Sequence, residues 1–356
     1  MSTYVVYGLT LLISLLLSVV AQKKNKKKYI IVAALVLTVI AGLRAVSVGI
    51  DTKNYVRLFG HIADGNLNLA HGLETSFKYI CAFLLAIWNN NNFLFFIFAL
   101  ITNVLIFARL WDFKDRISLP WATMIYFGVF YFMTFNIMRQ FVAVAIIFYG
   151  TRYLAEKKYF KFLFFVLLGF LFHKSALLGI GFVVLDIFAW KHLSRKQKKF
   201  LRLIIVLGLV VLLFLTIVIF GRYSHYFNNI QFNFGLMLFV KLMLFILTVF
   251  LVKNPYNDEC DENGYSIKAY TFTTVRIYYL VGILGMMLEY FFPYMGRIGI
   301  YFYIFEMVYM GMLFKSCKKD TIMKIILIAI ILLYVYSAIF GNGQGHGQYL
   351  FAWQTK

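Results

Sequence analysis

The sequence predicts an all-α, polytopic integral membrane protein, and three observations carry that expectation. Of its 356 residues, 62% are hydrophobic and only 14% charged, against about 45–50% apolar and about 25% charged in soluble domains. The apolar residues come in runs that approach the length of about 20 helical residues needed to cross a hydrocarbon core of about 30 Å. Only 3 prolines interrupt them, and short basic loops separate one run from the next.

Taken in order, the expected spans are 3–21, 29–46, 93–110, 120–135, 137–155, 159–173, 175–190, 200–220, 234–252, 272–291, 297–314 and 321–340, about twelve in all. The first run, Thr3 to Ala21, lacks a basic region before it and a small-residue cleavage site after it, so it reads as a retained span. Between the second and third spans lie a polar loop, 47–75, and a short apolar segment, 76–88. About 13 helical residues rise only about 20 Å, too little to cross. That segment is therefore placed outside as an interfacial or re-entrant helix, and the run Asn89 to Asn92 makes an exterior turn after it. The acidic loop 253–271, with Asp258, Glu259, Asp261 and Glu262, reads as a solvated cytoplasmic loop. There is no internal repeat and no soluble domain, so residues 1–356 form a single polytopic domain.

The formal charge of +21 raises the question of nucleic acid. The lysines, however, sit in short loops, where they set topology, and nucleic-acid binding is not expected. Clusters at Lys23–Lys28, Lys157–Lys161, Lys191–Arg202 and Lys315–Lys324 follow alternate spans. Placing them in the cytoplasm puts both termini outside. Cys81, Cys260 and Cys317 fall in separate segments without redox or metal-ligand spacing.

This orientation gathers unusual residues on the outer face. Arg44 and Asp51 end the second span, Tyr55 follows, and Glu74 opens the interfacial helix. Asn136, Arg139 and Gln140 stand at one span start, His173 in a turn between two apolar runs, and Arg297 at a further boundary. Arg222, His225 and the tail Gly341 to Lys356, with His346, add to the set. Each has an ordinary explanation: boundary arginines snorkel to headgroups, acids cap helices or pair in loops, and Glu306 and Lys241 pair within the spans. The case rests on their convergence. Guanidinium groups bind phosphate oxygens bidentately and stay charged. Two or three at one leaflet suit a lipid-linked diphosphate, whose leaving charge they would stabilise without a metal. A nearby His, Glu or Asp could deprotonate a sugar hydroxyl. No DxD, HExxH or GxSxG pattern occurs, which argues against nucleotide-sugar/metal, zinc-protease and serine-hydrolase chemistry.

The same residues resemble a known family. Arg44-x-x-x-Val48-Gly49-x-Asp51-Thr52-x-x-Tyr55, Glu74 with Phe77, Asn136-x-x-Arg139-Gln140-x-x-Ala143 and Phe172-His173-x-Ser175-Ala176 stand in the order expected of EpsG-type proteins. These are Wzy-like polymerases of bacterial exopolysaccharide and capsule. Arg297 in Gly-Arg-Ile-Gly-Ile-Tyr301-Phe resembles a later span of the family, and Glu74-Thr75-Ser76 departs from its pattern by lacking Pro or Gly after the acid. The resemblance implies a GT-C-like, multi-span glycosyltransferase of the bacterial cytoplasmic membrane with an extracytoplasmic active face. It would join oligosaccharide units carried on undecaprenyl diphosphate, with inversion and with neither metal nor cofactor. It implies Arg44, Arg139 and Arg297 on the diphosphates, with Tyr55, Asn136 and Gln140 positioning substrate. His173 is the preferred base or hydrogen-bond partner, with Asp51 and Glu74 as competing bases. Membrane lipids, a chain-length regulator and a flippase are the expected partners. The alternatives are a flippase or transporter of lipid-linked oligosaccharide, and a polysaccharide ligase.

The topology is open to a direct check. Single cysteines at Ser175 and Ser194, in a cysteine-free background, are expected to differ in intact cells: an impermeant maleimide labels Ser175→Cys and spares Ser194→Cys. Equal labelling, or labelling of position 194 alone, overturns the arrangement.

Overall fold

The computed structural model describes residues 2–188, 241–242, 245–246, 248, 271–290, 296–316 and 321–354. The expected span 200–220, most of 234–252, the loop 253–271 but for Thr271, and Arg222, His225 and Ser194 lie outside the described residues. Where described, the chain is helical, with no strand and one isolated β-bridge, between Arg44 and Phe351. It divides into two compact units, Met1–Leu177 with Ile304–Lys356, and Leu178–Tyr303.

The first unit opens with α1 (Thr3–Lys24) and α2 (Lys27–Gly42), joined at Asn25 in the left-handed conformation. Two short helices follow, α3 (Thr52–Ala63) and α4 (Thr75–Ile87). Then come α5 (Asn91–Asp112), α6 (Leu119–Ile125), α7 (Met138–Ala155) and α8 (Tyr159–Phe170). The second unit holds α9 (Ile180–Phe188), α10 (Phe272–Met287) and α11 (Gly296–Tyr303). The chain returns to the first unit as α12 (Glu306–Ser316) and α13 (Thr321–Phe340). Helices α1, α5 and α13 are long and apolar enough to cross a membrane, and α11 with α12 adds a fourth if counted as one broken span.

Packing in the first unit follows chain order: α1 on α2, α2 on α5, α5 on α7, α7 on α8. Buried hydroxyls and amides knit these helices. Asn103 Nδ2 donates to Thr38 Oγ1 at 3.1 Å, Tyr126 Oη donates to Asn103 Oδ1 at 2.5 Å, and the hydroxyls of Ser18 and Thr123 meet at 2.8 Å. In an apolar bundle a buried polar group without a partner is costly, so such pairs specify which helices meet.

Two expected elements differ from plain spans. The run expected over 29–46 stops as a helix at Gly42, because Asn92 Nδ2 takes the carbonyls of Gly42 and Arg44 at 2.8 Å each and the chain then pairs with the C-terminal segment. The run over 120–135 is α-helical only to Ile125, then π-helical over Tyr126–Phe130 and 3₁₀ over Tyr131–Phe135. Its Gly128 lies against Tyr334 of α13, where an added Cβ would come within 2.9 Å of the tyrosine Cβ.

Helices α3 and α4 are packed, not floating in the outer loop. The i, i+3, i+4, i+7 set Tyr55, Leu58, Phe59 and Ile62 joins Phe77, Cys81 and Leu85 of α4 in one core with Phe95 and Phe98 of α5 and Val142 and Ile146 of α7. The other face of α4 exposes Tyr79, Phe83 and Ile87, with Trp88 just beyond. That geometry fits a short helix lying along the bundle.

Alternating directions collect the loops of the first unit at two ends. One end carries Lys23 to Lys28, Lys114 and Lys315, whose Nζ donates to the Asp115 carbonyl at 2.6 Å. There Asp112 is shared by two arginines: Arg109 Nη1 reaches its Oδ2 and Arg152 Nη2 its Oδ1, each at 3.0 Å. Arg109 is buried and also donates to Thr151 Oγ1 at 3.1 Å. Asp112→Ala is expected to cost about 3 kcal/mol, because it leaves two closely placed cations without their common acid. Thermal unfolding in detergent measures it, and a midpoint equal to wild type overturns the assignment.

Candidate functional site

The opposite end gathers Thr3, residues 43–51, α3, α4, the entry to α7, the turn after α8 and residues 341–352. Arg139 stands in the first turn of α7, where the positive end of the helix dipole opposes a cation. Glu74 offsets this. Its carboxylate Oε2 pairs with Arg139 Nη1, and its Oε1 accepts the backbone N–H of Lys174 at 3.2 Å. Glu74 holds the N-cap position of α4 but makes no capping bond with its side chain. The carboxylate instead ties three elements together.

Around this pair the packing is aromatic. The Arg139 guanidinium lies over the Phe77 ring, 5.7 Å from its centroid. Phe172 packs on both Phe77 and Phe98, and Ser76 Oγ donates to the Leu171 carbonyl at 2.6 Å. Tyr55 is buried beside Arg139. Burial raises its phenol above the ordinary value, while the charge of Arg139 and a hydrogen bond to it pull the other way. Arg139 Nε is buried without a hydrogen-bond partner among the described residues.

In the turn after α8, His173 Nδ1 accepts the backbone N–H of Ser175 at 3.2 Å and lies 2.5 Å from Ser175 Oγ. A backbone amide can only donate, so Nδ1 presents its lone pair and the neutral ring carries its proton on Nε2. The proton position follows from the hydrogen bonds. This bears on the role expected of His173. In that tautomer Nε2 carries the hydrogen and is the ring's donor.

Arg44 is 1% exposed. Its guanidinium sits between the rings of Phe95 and Phe135, 4.3 and 4.7 Å from their centroids. It donates to the carbonyls of Ala41 and Phe135, leaves Nε unpartnered, and makes no ion pair among the described residues. Nearby, Gly49 (φ +99°) makes a turn that no side chain would fit: a Cβ there would lie 2.6 Å from Thr52 Oγ1. Asn136 closes over this turn. Its Oδ1 accepts the Asp51 N–H at 3.2 Å, and its Nδ2 donates to the carbonyl and Oε1 of Gln344 at 3.0 and 2.7 Å. The Asp51 carboxylate makes no hydrogen bond or ion pair among the described residues.

Seven of the nine residues singled out from sequence thus share one end of the first unit: Arg44, Asp51, Tyr55, Glu74, Asn136, Arg139 and His173. Gln140, one residue further along α7, is buried within it. Arg297 begins α11 in the second unit, where it is exposed. Sequence reasoning missed Asn92, Gln344 and Phe351, which organise this end. The alternating glycines 341, 343, 345 and 347 were the available sign that the tail turns tightly.

Neither the curated proteins nor the solved structures gave a match to this chain. The EpsG family model matches residues 27–351, from the start of α2 to the residue that bridges Arg44. With that match spanning most of its length, and with helices apolar enough to cross a membrane, the chain belongs to the EpsG family, a membership that suggests a polysaccharide polymerase-type function.

Proposed function

We propose that the protein is a membrane glycosyltransferase that joins oligosaccharide repeat units carried on undecaprenyl diphosphate, working at the outer side of the bacterial cytoplasmic membrane without a metal and with inversion. The observation that carries this reading is one polar cluster across four elements: Tyr55, with Asp51 in electrostatic reach, at the α3 entry, Arg139 of α7, Glu74 of α4, and the His173–Ser175 turn. It offers a guanidinium, a hydrogen-bond donor and an available carboxylate beside aromatic surface, which is what a diphosphate leaving group and a sugar hydroxyl require.

In the reaction an acceptor hydroxyl of the new unit attacks the anomeric carbon of the growing chain. The bond from that carbon to the diphosphate oxygen breaks, the lipid diphosphate leaves with the electron pair, and a base takes the hydroxyl proton. Arg139 and Arg44 bind the diphosphate, and Arg297, expected from the sequence to do the same, lies in the second unit. Asp51 is the favoured base, since both Glu74 oxygens are engaged. His173 donates from Nε2 to an oxygen of the substrate. Tyr55, Asn136 and Gln140 position the sugars.

A transporter of lipid-linked oligosaccharide is the second reading, favoured by the charged group Arg109, Asp112 and Arg152 at the other end. Purified protein in proteoliposomes, given a lipid-linked repeat unit, separates them. A ladder of longer products supports the polymerase, and movement of unextended single units supports the transporter.

Two substitutions test the assigned roles. Arg139→Lys keeps a charge beside Glu74 but loses the bidentate fork, and is expected to lower polymer formation about 10²–10³-fold at unchanged protein level. His173→Gln, which retains an N–H donor, is expected to keep measurable extension while Asp51→Asn abolishes it. Full polymer from Asp51→Asn removes Asp51 as the base, and total loss in an inserted His173→Gln protein returns the base role to His173.

A further inference from the structure

The C-terminal residues 341–354 run back over the outer end of the first unit and cover Arg44. Phe351 bridges Arg44, with Ala45 N–H donating to the Leu350 carbonyl at 2.8 Å and Ala352 N–H to the Leu43 carbonyl at 2.9 Å. Tyr349 N–H donates to Thr3 Oγ1 at 2.9 Å and its phenol to the Ile40 carbonyl at 2.8 Å. The hydroxyls of Tyr7, Tyr131 and Tyr349 lie within electrostatic reach of the guanidinium. The segment therefore helps to cover a cation that is almost wholly buried and has no acidic partner among the described residues.

A buried guanidinium with an unpartnered Nε is poorly compensated, because aromatic faces replace only part of its hydration. We infer that residues 341–354 form a strap that closes the Arg44 chamber and lifts to admit the diphosphate of a lipid-linked substrate. This rests on the reading of Arg44 as a diphosphate ligand. The first residues of the strap are rich in glycine and so can bend. Glycine stands at 341, 343, 345 and 347, and Gly345 (φ +68°) passes its carbonyl to the Gly49 N–H at 2.8 Å. Besides the Arg44 bridge and the packing of His346 and Tyr349, it is held by hydrogen bonds, two of them at Gln344 and two at Tyr349. Gln344 occupies the side-chain donor of Asn136 with both its carbonyl and Oε1. Lifting the strap thus uncovers two things together: the guanidinium, and an amide donor fixed beside Asp51 and suited to a sugar or phosphate oxygen.

His346 anchors the closed form. Its ring stacks on Phe132 at 4.0 Å, and its Nε2 meets the Ala338 carbonyl at 2.7 Å. The Tyr7 hydroxyl donates to its backbone carbonyl at 2.9 Å.

The test is a reversible lock. In full-length protein with Cys81, Cys260 and Cys317 replaced, the pair Ala45→Cys and Leu350→Cys is oxidised, and binding of a polyprenyl diphosphate in nanodiscs is measured before and after reduction. Locking removes the open fraction, so the oxidised protein is expected to bind about tenfold or more weakly, with affinity restored by dithiothreitol. Equal affinity in both forms, or failure of the pair to cross-link, overturns the strap. If reduced and wild-type protein alike fail to bind the polyprenyl diphosphate, the diphosphate reading itself falls. Ala45→Cys alone gives a second readout: Ala45 is buried, so a maleimide should reach it faster once polyprenyl diphosphate is added. An unchanged rate also overturns the strap.

Discussion

The end of the first unit that carries the candidate site is organised by the ion pair between Glu74 and Arg139. Arg139 begins a helix, where a cation is unfavourable, and both side chains are largely shielded from water. Neither would be tolerated there alone, so the position of each fixes the other. Because Glu74 opens α4 and its second oxygen holds the Lys174 amide, pairing it with α7 also sets where α4 lies and how the chain turns after α8. Tyr55 and the apolar face of α3 then fill the remaining space. The segment between α2 and α5 is thereby converted into part of the core.

The two ends of the first unit solve the problem of buried charge differently. At the basic end, Asp112 serves two arginines that α5 and α7 bring together, a closed arrangement suited to holding helices. At the other end Glu74 serves one arginine and a backbone amide, while Arg44 is left to aromatic rings and carbonyls. Every arginine of the first group touches a carboxylate, whereas Arg44 touches none among the described residues. A buried guanidinium that touches no acid and lies between aromatic rings has the electrostatic character that attracts an anion.

Much of this could be read before any coordinates. Arg44, Glu74, Arg139 and His173 stand out because each interrupts or bounds an apolar run, and the alternation of basic loops assigns them to one side. Their pairing could not be read. Glu74 and Arg139 are 65 residues apart, and contacts across such separations leave no local period in the sequence. The irregular winding of 126–135 was hidden for a related reason: composition reports that a segment is apolar but not its pitch. Which ring nitrogen of His173 meets Ser175 is a detail of a three-residue turn that hydropathy does not encode. The asparagine run read as a turn proved to be more specific, with Asn90 capping α5 and Asn92 tying off α2.

The bond between Tyr349 and Thr3 spans 346 positions of the chain. Nearly everything between them must therefore be made and inserted before the surroundings of Arg44 can be completed. Until then the helices near Arg44 carry a cation and several open backbone carbonyls with no finished wall around them. Contacts of such long range form late, and in chains of this size the waiting intermediates are the ones exposed to misassembly. The order of biosynthesis thus builds a delay into the protein, and the segment that ends the delay is the one that seals the chamber.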